Sequence, residues 1–427
     1  MIVSSSWRGK RYAVLGLART GVATVRALVA GGADVTAWDS NADRREGIEG
    51  ATIADLDTID LAGFDALVVS PGVPLNTHPL AAKARAAGVA ITGDIELFAE
   101  ARAELPPHKV VGITGTNGKS TTTALVTHIL KQAGIPALMG GNIGLPILAQ
   151  APLPVGGVYV LELSSYQIDL THSLDCDVAV LLNLTPDHLD RYDGFAGYAA
   201  SKARLFAMQS PVHEAVIGIG DVPSAEIARS LSARAEHLTK IAPGVCLDQS
   251  RWPSLQGPHN AQNALAAIAV AKALGVDEAT IDRALESFAG LPHRMEKVGE
   301  VRGVAYVDDS KATNPESTAP ALGAFPRVHW IVGGRAKGDD LDACRPWFDH
   351  VVRAYTIGEA GARFAAILRD VIPVEEAGTL ATAVERAAQA AQPGETVLLS
   401  PAAASFDQFR DYEHRGQAFR DAVGALA

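Results

Sequence analysis

Short apolar runs alternate along the chain with stretches of helical spacing. Residues 11–17 (Arg-Tyr-Ala-Val-Leu-Gly-Leu) predict a first strand, and the pattern from about Thr20 to Ala30 predicts a helix. Further strands are expected at Ala33–Trp38, Ala66–Val69, His108–Val111, Val158–Leu163 and Val178–Leu182. Helical spacing covers Thr122–Ala133, Tyr198–Ala207 and the alanine-rich stretch Ala264–Leu274. In the last third, strands are expected at Val304–Val307, His329–Val332, Ala354–Ile357 and Thr396–Leu399. Strands alternating with helices predict an α/β fold of parallel, doubly wound sheets. Two breaks punctuate the pattern: the stiff pair Pro106-Pro107, and Gly290-Leu291-Pro292-His293-Arg294, which ends a helix and reads as a hinge. They predict three domains, at 1–105, 106–290 and 291–427. Residues 208–256 hold a few strand-like runs and no motif.

Composition narrows the partners more than the fold. The chain has 427 residues, 48% of them hydrophobic and 20% charged, which suits two or three globular domains. A net charge of −11 argues against a general nucleic-acid or anionic-membrane surface, so an anionic substrate needs local cations. Cys176, Cys246 and Cys344 are far apart and suggest neither a disulfide framework nor a zinc site. With no signal-peptide pattern and no run of 18 apolar residues, the expectation is a cytoplasmic protein, taken as a monomer.

The candidate chemistry begins at Gly112-Ile113-Thr114-Gly115-Thr116-Asn117-Gly118-Lys119-Ser120-Thr121, between a predicted strand and a predicted helix. Glycines let backbone amides turn towards an anion, and the helix N-terminus adds partial positive charge. Lys119 can reach terminal phosphates and the Ser120 hydroxyl can ligate Mg²⁺. The spacing departs from the common Walker form, because Ile113 stands where that form has glycine. Earlier, Gly16-Leu17-Ala18-Arg19-Thr20-Gly21 is a Rossmann-type turn with alanine at its middle glycine, and Asp39 stands where an acid reaches a ribose hydroxyl. That turn fits a dinucleotide or a nucleotide sugar. Glu162, near the end of a strand, is either a metal ligand or the partner of a nearby base. His188 sits among acids, and Lys202 by helix statistics is a solvated cation. Asn260 is expected to cap the following helix, whereas Asn263, in its first turn, has less structural excuse and could read a purine edge.

Taken together, the motifs resemble the Mur ligase family, and within it the branch that adds D-glutamate. The runs are Gly115–Thr121 (GTNGKST), Gly141–Pro146 (GNIGLP), Glu162–Gln167 (ELSSYQ), Asp187–Tyr192 (DHLDRY), His259–Ala264 (HNAQNA), Gly290–Arg294 (GLPHR), Asp309–Asn314 (DSKATN) and Ser400–Gln408 (SPAAASFDQ). The stretch Gly93–Phe98 (GDIELF) resembles the same branch. The resemblance implies a UDP-binding Rossmann-like domain, a central ATP-binding domain and a C-terminal amino-acid-binding domain. The implied reaction joins D-glutamate to UDP-MurNAc-L-Ala through an acyl phosphate and a tetrahedral intermediate. It also implies catalytic roles for Lys119, His188 and Lys202, and ATP contacts from Gly115, Thr116, Asn117, Gly118, Lys119, Ser120, Thr121, Asn263, Arg294 and Asp309. Two Mg²⁺ ions are implied, held by Ser120, Glu162, His188 and Lys202, the last as an N-carbamate, which revises the solvated reading. The UDP-substrate is implied to meet Gly16, Arg19, Thr20, Gly21, Asp39, Ser70, Gly72, Asn142 and Ser164. The glutamate is implied to meet Lys311, Thr313, Lys337, Ser405, Phe406 and Tyr412. A nicotinamide dehydrogenase would explain Gly16–Gly21 alone, and a non-catalytic sensor would be expected to lack Lys119 or Lys202.

Overall fold

The computed structural model describes residues 1–242, 248–252, 254–336 and 338–426. Seventeen strands form three sheets among the described residues. The first holds β1 (Arg11–Leu15), β2 (Asp34–Trp38), β3 (Thr52–Ile53), β4 (Ala66–Val69) and β5 (Ala90–Thr92), all parallel, in the order β3-β2-β1-β4-β5. The order reverses direction between β1 and β4, and at such a point the loops that leave the strands diverge and open a crevice. The Gly16–Gly21 turn follows β1 and Ser70–Gly72 follows β4, so both edge that crevice.

The second sheet holds β6 (His108–Thr114), β7 (Ala137–Gly141), β8 (Gly157–Glu162), β9 (Val178–Leu181), β10 (Glu214–Gly218) and β11 (Leu238–Ile241). It is again wholly parallel, in the order β11-β10-β9-β6-β8-β7. Strand β6 is central because Val110, Val111 and Ile113 are apolar on both faces and fully buried. Its neighbours β8 and β9 bring Glu162 and the Asn183 loop to either side of the phosphate loop. These two sheets share one hydrophobic cluster, with Trp7, Val25, Phe98, Ile147, Tyr159 and Leu181 among its members.

The third sheet lies in a separate compact unit. It holds β12 (Glu296–Val301), β13 (Val304–Asp308), β14 (Val328–Gly333), β15 (Val351–Ile357), β16 (Val374–Gly378) and β17 (Thr396–Leu399), in the order β12-β13-β17-β14-β15-β16. It is mixed: β12 runs antiparallel to β13, while the other pairs are parallel. That edge departs from the all-parallel expectation. A short turn at Arg302-Gly303 permits it, since a hairpin needs no crossover helix.

Helices start earlier than the periodicity predicts. The helix after the phosphate loop is Lys119–Gln132, and the one carrying Lys202 is Gly194–Ala207. The alanine-rich helix is Pro258–Ala273, so Asn260 lies inside it and is no cap; its amide instead donates to the Gln256 carbonyl at 3.0 Å. Proline at the first helical position explains the early start, since its missing N–H costs nothing there.

Candidate active site

The phosphate loop is held from below by side chains that its own sequence does not contain. Thr116 N–H donates to the Asn183 carbonyl at 2.9 Å and Asn117 N–H to Asn183 Oδ1 at 2.9 Å, while Asn183 Nδ2 donates back to the Asn117 carbonyl. Thr116 Oγ1 donates to the Thr185 carbonyl and accepts from Thr185 N–H. Gly118 has φ +87°, and a Cβ there would stand 2.2 Å from Asn263 Oδ1, so glycine is required on both counts. Asn263 is buried and its Oδ1 accepts from Thr122. It is therefore at least a buttress of the loop. Lys119 Nζ folds over the loop and donates to the Gly115 and Thr116 carbonyls at 2.9 and 2.8 Å. Ser120 is buried at the second helical position.

Glu162 ends β8 beside that loop and is 2% exposed. Its Oε1 accepts from Asn142 Nδ2 at 2.8 Å, and its Oε2 has no hydrogen-bond partner. No ion pair to Glu162 occurs among the described residues, so the alternative of a paired structural acid is not seen. A buried carboxylate oxygen with no donor suits a cation.

Lys202 is a base in an equally dry place. At 1% exposure it is not a solvated cation. The helix Gly194–Ala207 turns it inward, where Nζ donates to Thr114 Oγ1 at 3.2 Å and lies 4.9 Å from the centre of the Tyr198 ring. Burial, then the charge of Lys119, push its pKa well below the ordinary lysine value, against the opposing pull of Asp187, Asp169 and Glu162. Its neutral form is thereby favoured, and a neutral amine is the nucleophile that can take up carbon dioxide. His188 stands at φ +53°, an unusual conformation for a side-chain-bearing residue. Its Nε2 is 3.5 Å from Asp187 Oδ2, and its ring lies 5.0 Å from that of Tyr166. The Ser120 hydroxyl and the Glu162 carboxylate offer oxygen donors beside the phosphate loop, whereas Lys202 as an amine donates to Thr114.

A cavity of about 690 Å³ opens at the crevice of the first sheet and runs to Asn142 and Gln167 of the second. Gly16, Arg19, Thr20, Asp39, Ser70, Gly72 and Asn142 line it. Gly21, expected with them, lies elsewhere. Gly21 does not line the cavity; a Cβ there would meet the Gly16 carbonyl oxygen at 1.8 Å, so its role is close packing of helix on turn. Asp39 lines the cavity and accepts from Leu17 N–H through Oδ2 at 2.7 Å and from Asn41 N–H through Oδ1 at 2.8 Å. Burial alone would raise its pKa, but those amides and Arg44 hold it below the usual carboxylate value. Ser164 caps the helix Ser165–Asp169 in a reciprocal box with Gln167.

In the third sheet, the carboxyl ends of β13, β17 and β14 gather a second set. Asp309 is buried, accepts from Ser400 Oγ at 2.8 Å and from Met295 N–H at 3.3 Å, and burial lifts its pKa to about 7. Lys311 Nζ lies 3.6 Å from the centre of the half-buried Tyr412 ring. Arg294 acts electrostatically on Asp309 and Tyr412. Ser405 is buried and Phe406 is 63% exposed in the loop after β17, while Thr313 is half-buried in the loop after β13. Lys337 lies outside the described residues.

Sequence reasoning missed Arg415. It is 1% exposed, and its guanidinium donates to Ser310 Oγ, the Ser310 carbonyl and the Ala403 carbonyl at 2.9, 2.8 and 3.0 Å. It ties the Asp309–Asn314 loop to the Ser400–Gln408 loop. Asn183 was passed over in the same way. Neither lies in a local pattern, and only an unexplained polar residue between apolar runs could have signalled them.

Comparisons with known proteins agree with this geometry. Profiles described as Mur ligase MurD-like N-terminal domain, Mur ligase middle domain, and Mur ligase glutamate ligase domain match residues 10–93, 113–244 and 293–403. A UDP-N-acetylmuramoylalanine–D-glutamate ligase of Novosphingobium aromaticivorans is 66% identical over all of this chain and 97% of its own length. One of Zymomonas mobilis is 57% identical over the whole of both. Among solved structures, MurF ligase of Thermotoga maritima in complex with ADP superposes with a TM-score of 0.62 at 15% identity, covering 100% of this chain and 98% of that one. The UDP-N-acetylmuramate–alanine ligase MurC of Thermotoga maritima gives a TM-score of 0.60 at 17% identity, covering 98% and 100%. At those identities the two structures speak for the fold alone.

Proposed function

Since the chain belongs to the Mur ligase family, we propose that it is the ATP-dependent ligase that joins D-glutamate to UDP-N-acetylmuramoyl-L-alanine in peptidoglycan precursor synthesis. The observation that carries the reading is identity of 66% and 57% with full-length relatives bearing that name. Retention of the phosphate loop with its lysine and of a buried Lys202 supports an active enzyme rather than a relic. We place the domain limits at 1–105, 106–290 and 291–427, and take the protein to be a cytoplasmic monomer. No helix of the described residues is long and apolar enough to cross a membrane.

The residues divide the work by charge. A carboxylate is a poor electrophile, so the L-alanyl carboxylate first takes the γ-phosphoryl group of ATP, and ADP leaves. The glutamate amine then attacks the acyl phosphate carbon, a tetrahedral intermediate forms, and inorganic phosphate departs with the amide made. The loop Gly115–Thr121 cradles the ATP phosphates with those backbone amides that are not bonded to Asn183. Lys119 neutralises charge that develops on the moving phosphoryl group. Asn263, Arg294 and Asp309 hold the rest of ATP. Two Mg²⁺ ions, when bound, neutralise and polarise the phosphate oxygens. Ser120, Glu162, His188 and the carbamate of Lys202 would hold them. That carbamate arises when the neutral amine adds to carbon dioxide and releases a proton, which turns a buried neutral group into a negative one.

The substrate carboxylate must be brought to that point from the UDP end. Gly16, Arg19, Thr20, Ser70 and Gly72 receive the uridine diphosphate, with Asp39 shaping the turn and Gly21 its packing. Asn142 and Ser164 meet the muramoyl portion. Lys311, Thr313, Lys337, Ser405, Phe406 and Tyr412 hold the glutamate, two lysines suiting two carboxylates. Phosphate release from ATP with UDP-MurNAc-L-Ala and a panel of D- and L-amino acids tests the reading. Release is expected with D-glutamate. Preferred release with any other amino acid overturns it.

A further inference from the structure

The loop that leaves β17 carries Ser405 and Phe406, and it is tied down on two sides. On one side it pairs with the loop after β14. Arg335 N–H donates to the Ala404 carbonyl at 2.8 Å, and Ala404 N–H donates to the Arg335 carbonyl at 2.9 Å. Arg335 stands two residues before Lys337 in the chain, so this two-way bridge joins the loops that carry Lys337 and Ser405. Beyond the bridge, the Ser405 carbonyl accepts from Gln408 N–H at 3.2 Å and from Phe409 N–H at 2.8 Å. Residues 405–409 therefore form one tight turn, and a shift of any member carries the others with it.

On the other side the tie is a side chain, Asp407. Its Oδ2 accepts from Glu359 N–H at 2.8 Å, in the turn that follows β15. Gly358 makes room for that carboxylate: it stands at φ +67°, and a Cβ there would come within 2.2 Å of Asp407 Oδ2. The receiving turn is itself anchored. Ala360 N–H donates to the Gly334 carbonyl at 2.9 Å, and Gly358 N–H donates to the Gly378 carbonyl at 3.0 Å. Gln408 Nε2 donates to that same Gly378 carbonyl at 2.9 Å. Asp407 Oδ1 is buried and has no hydrogen bond, so among the described residues the Glu359 amide is the one donor that holds this carboxylate. Phe406, 63% exposed, has little packing of its own to fix it.

We infer that Asp407 is a positioning residue for the incoming amino acid, acting through Ser405 and Phe406: by holding the Glu359 N–H it sets the turn 405–409 against the turn after β15. A hydrogen bond to an ionised acceptor is stronger than one between neutral groups, which suits a turn with an exposed tip. Without it the turn keeps its bridge to Arg335 and loses its outer anchor, so Ser405 and Phe406 sample several positions and the glutamate meets them less often in the productive one.

The inference rests on the ligase reading, and the wild-type assay keeps the two separable. Wild-type protein that releases no phosphate from ATP with UDP-MurNAc-L-Ala and D-glutamate defeats the ligase reading itself. With that activity in place, Asp407→Ala should raise KM for D-glutamate about tenfold, the equivalent of one lost charge-assisted hydrogen bond, and leave KM for ATP and for UDP-MurNAc-L-Ala unchanged. Asp407→Asn keeps an oxygen for the Glu359 amide and should stay within about threefold of wild type. Gly358→Ala, which sets a methyl group against Oδ2 from the opposite turn, should raise the same KM and add nothing in the Asp407→Ala background. An unchanged KM for D-glutamate in Asp407→Ala, equal rises for all three substrates, or additive losses overturn the inference. Should Asp407→Ala not fold, Gly358→Ala decides by itself, because a wild-type KM there means that displacing the carboxylate leaves the glutamate site as it was.

Discussion

At the carboxyl ends of β8, β6 and β9, buried polar groups lack partners. Glu162 keeps an oxygen with no hydrogen bond, and Lys202 gives its buried amine to one threonine hydroxyl. At the carboxyl ends of β13, β17 and β14, the buried groups are bonded to one another. Arg415 spans two loops with three hydrogen bonds, Asp309 takes the Ser400 hydroxyl, and that hydroxyl is itself within 3.1 Å of Thr318 Oγ1. Burying an unpaired charge is costly, so the first arrangement persists only if something else completes it. In the second, Asp407 Oδ1 is also without a hydrogen bond, but Arg415, Asp309 and Ser400 are held by one another and by the loops they join. One region keeps a buried acid oxygen and a buried amine with few bonds, whereas the other is braced by the three hydrogen bonds of Arg415.

Three substitutions probe that difference. The largest effect is expected at Lys202. Lys202→Ala should lower turnover by about a thousandfold, in line with the loss of a preorganised charge in a dry site, and short carboxylates should restore part of it by standing in for the carbamate. Steady-state phosphate release measures both, and full activity without rescue would mean that the central site is complete without Lys202. Next comes Arg415→Ala, which leaves two loops unbraced in the self-bonded region. It should cost about 3–5 kcal/mol of stability, the range for breaking a buried charged network, read by urea unfolding; a loss near zero would show those loops held by packing alone.

The smallest effect is a pH dependence. Burial lifts the Asp309 pKa from 3.8 to about 7. The folded state therefore holds a proton that the unfolded chain has already lost, and the stability this contributes is full below pH about 4 and disappears as pH rises through about 7. Asp309→Asn lacks that term. Between pH 5 and 8 the wild type should lose about 2 kcal/mol relative to the variant, as measured by paired melting curves. Parallel curves would place Asp309 in a wetter setting than its hydrogen bonds to Ser400 and Met295 imply.

Both regions were legible in the sequence to the extent that their signals are local. Ala66–Val69 and Thr396–Leu399 are strands with the bounds their apolar runs predict, because buried parallel strands are continuous in hydrophobicity. Strand β7 was hidden, since two of its residues are the glycines 140 and 141, which carry no strand signal. Strand β12 was hidden by Glu296, Lys297 and Glu300 on an edge that needs no apolar face. Glu162 and His188 could be named from position and residue type. Their surroundings could not: the burial that changes Lys202, the Asn183 brace under the phosphate loop and the Arg415 tie all depend on partners many residues away.

The hydrogen bond from Asn142 to Glu162 has a consequence for how the enzyme loads. One amide group faces both the cavity at the crevice of the first sheet and the Glu162 carboxylate. Whatever draws that amide away from Glu162 leaves the carboxylate more negative in effect, and whatever neutralises Glu162 frees the amide. Occupants of the two places are thermodynamically linked, and the linkage is the same read from either side. The order in which they arrive can then differ between conditions while the free energy of the fully loaded state does not.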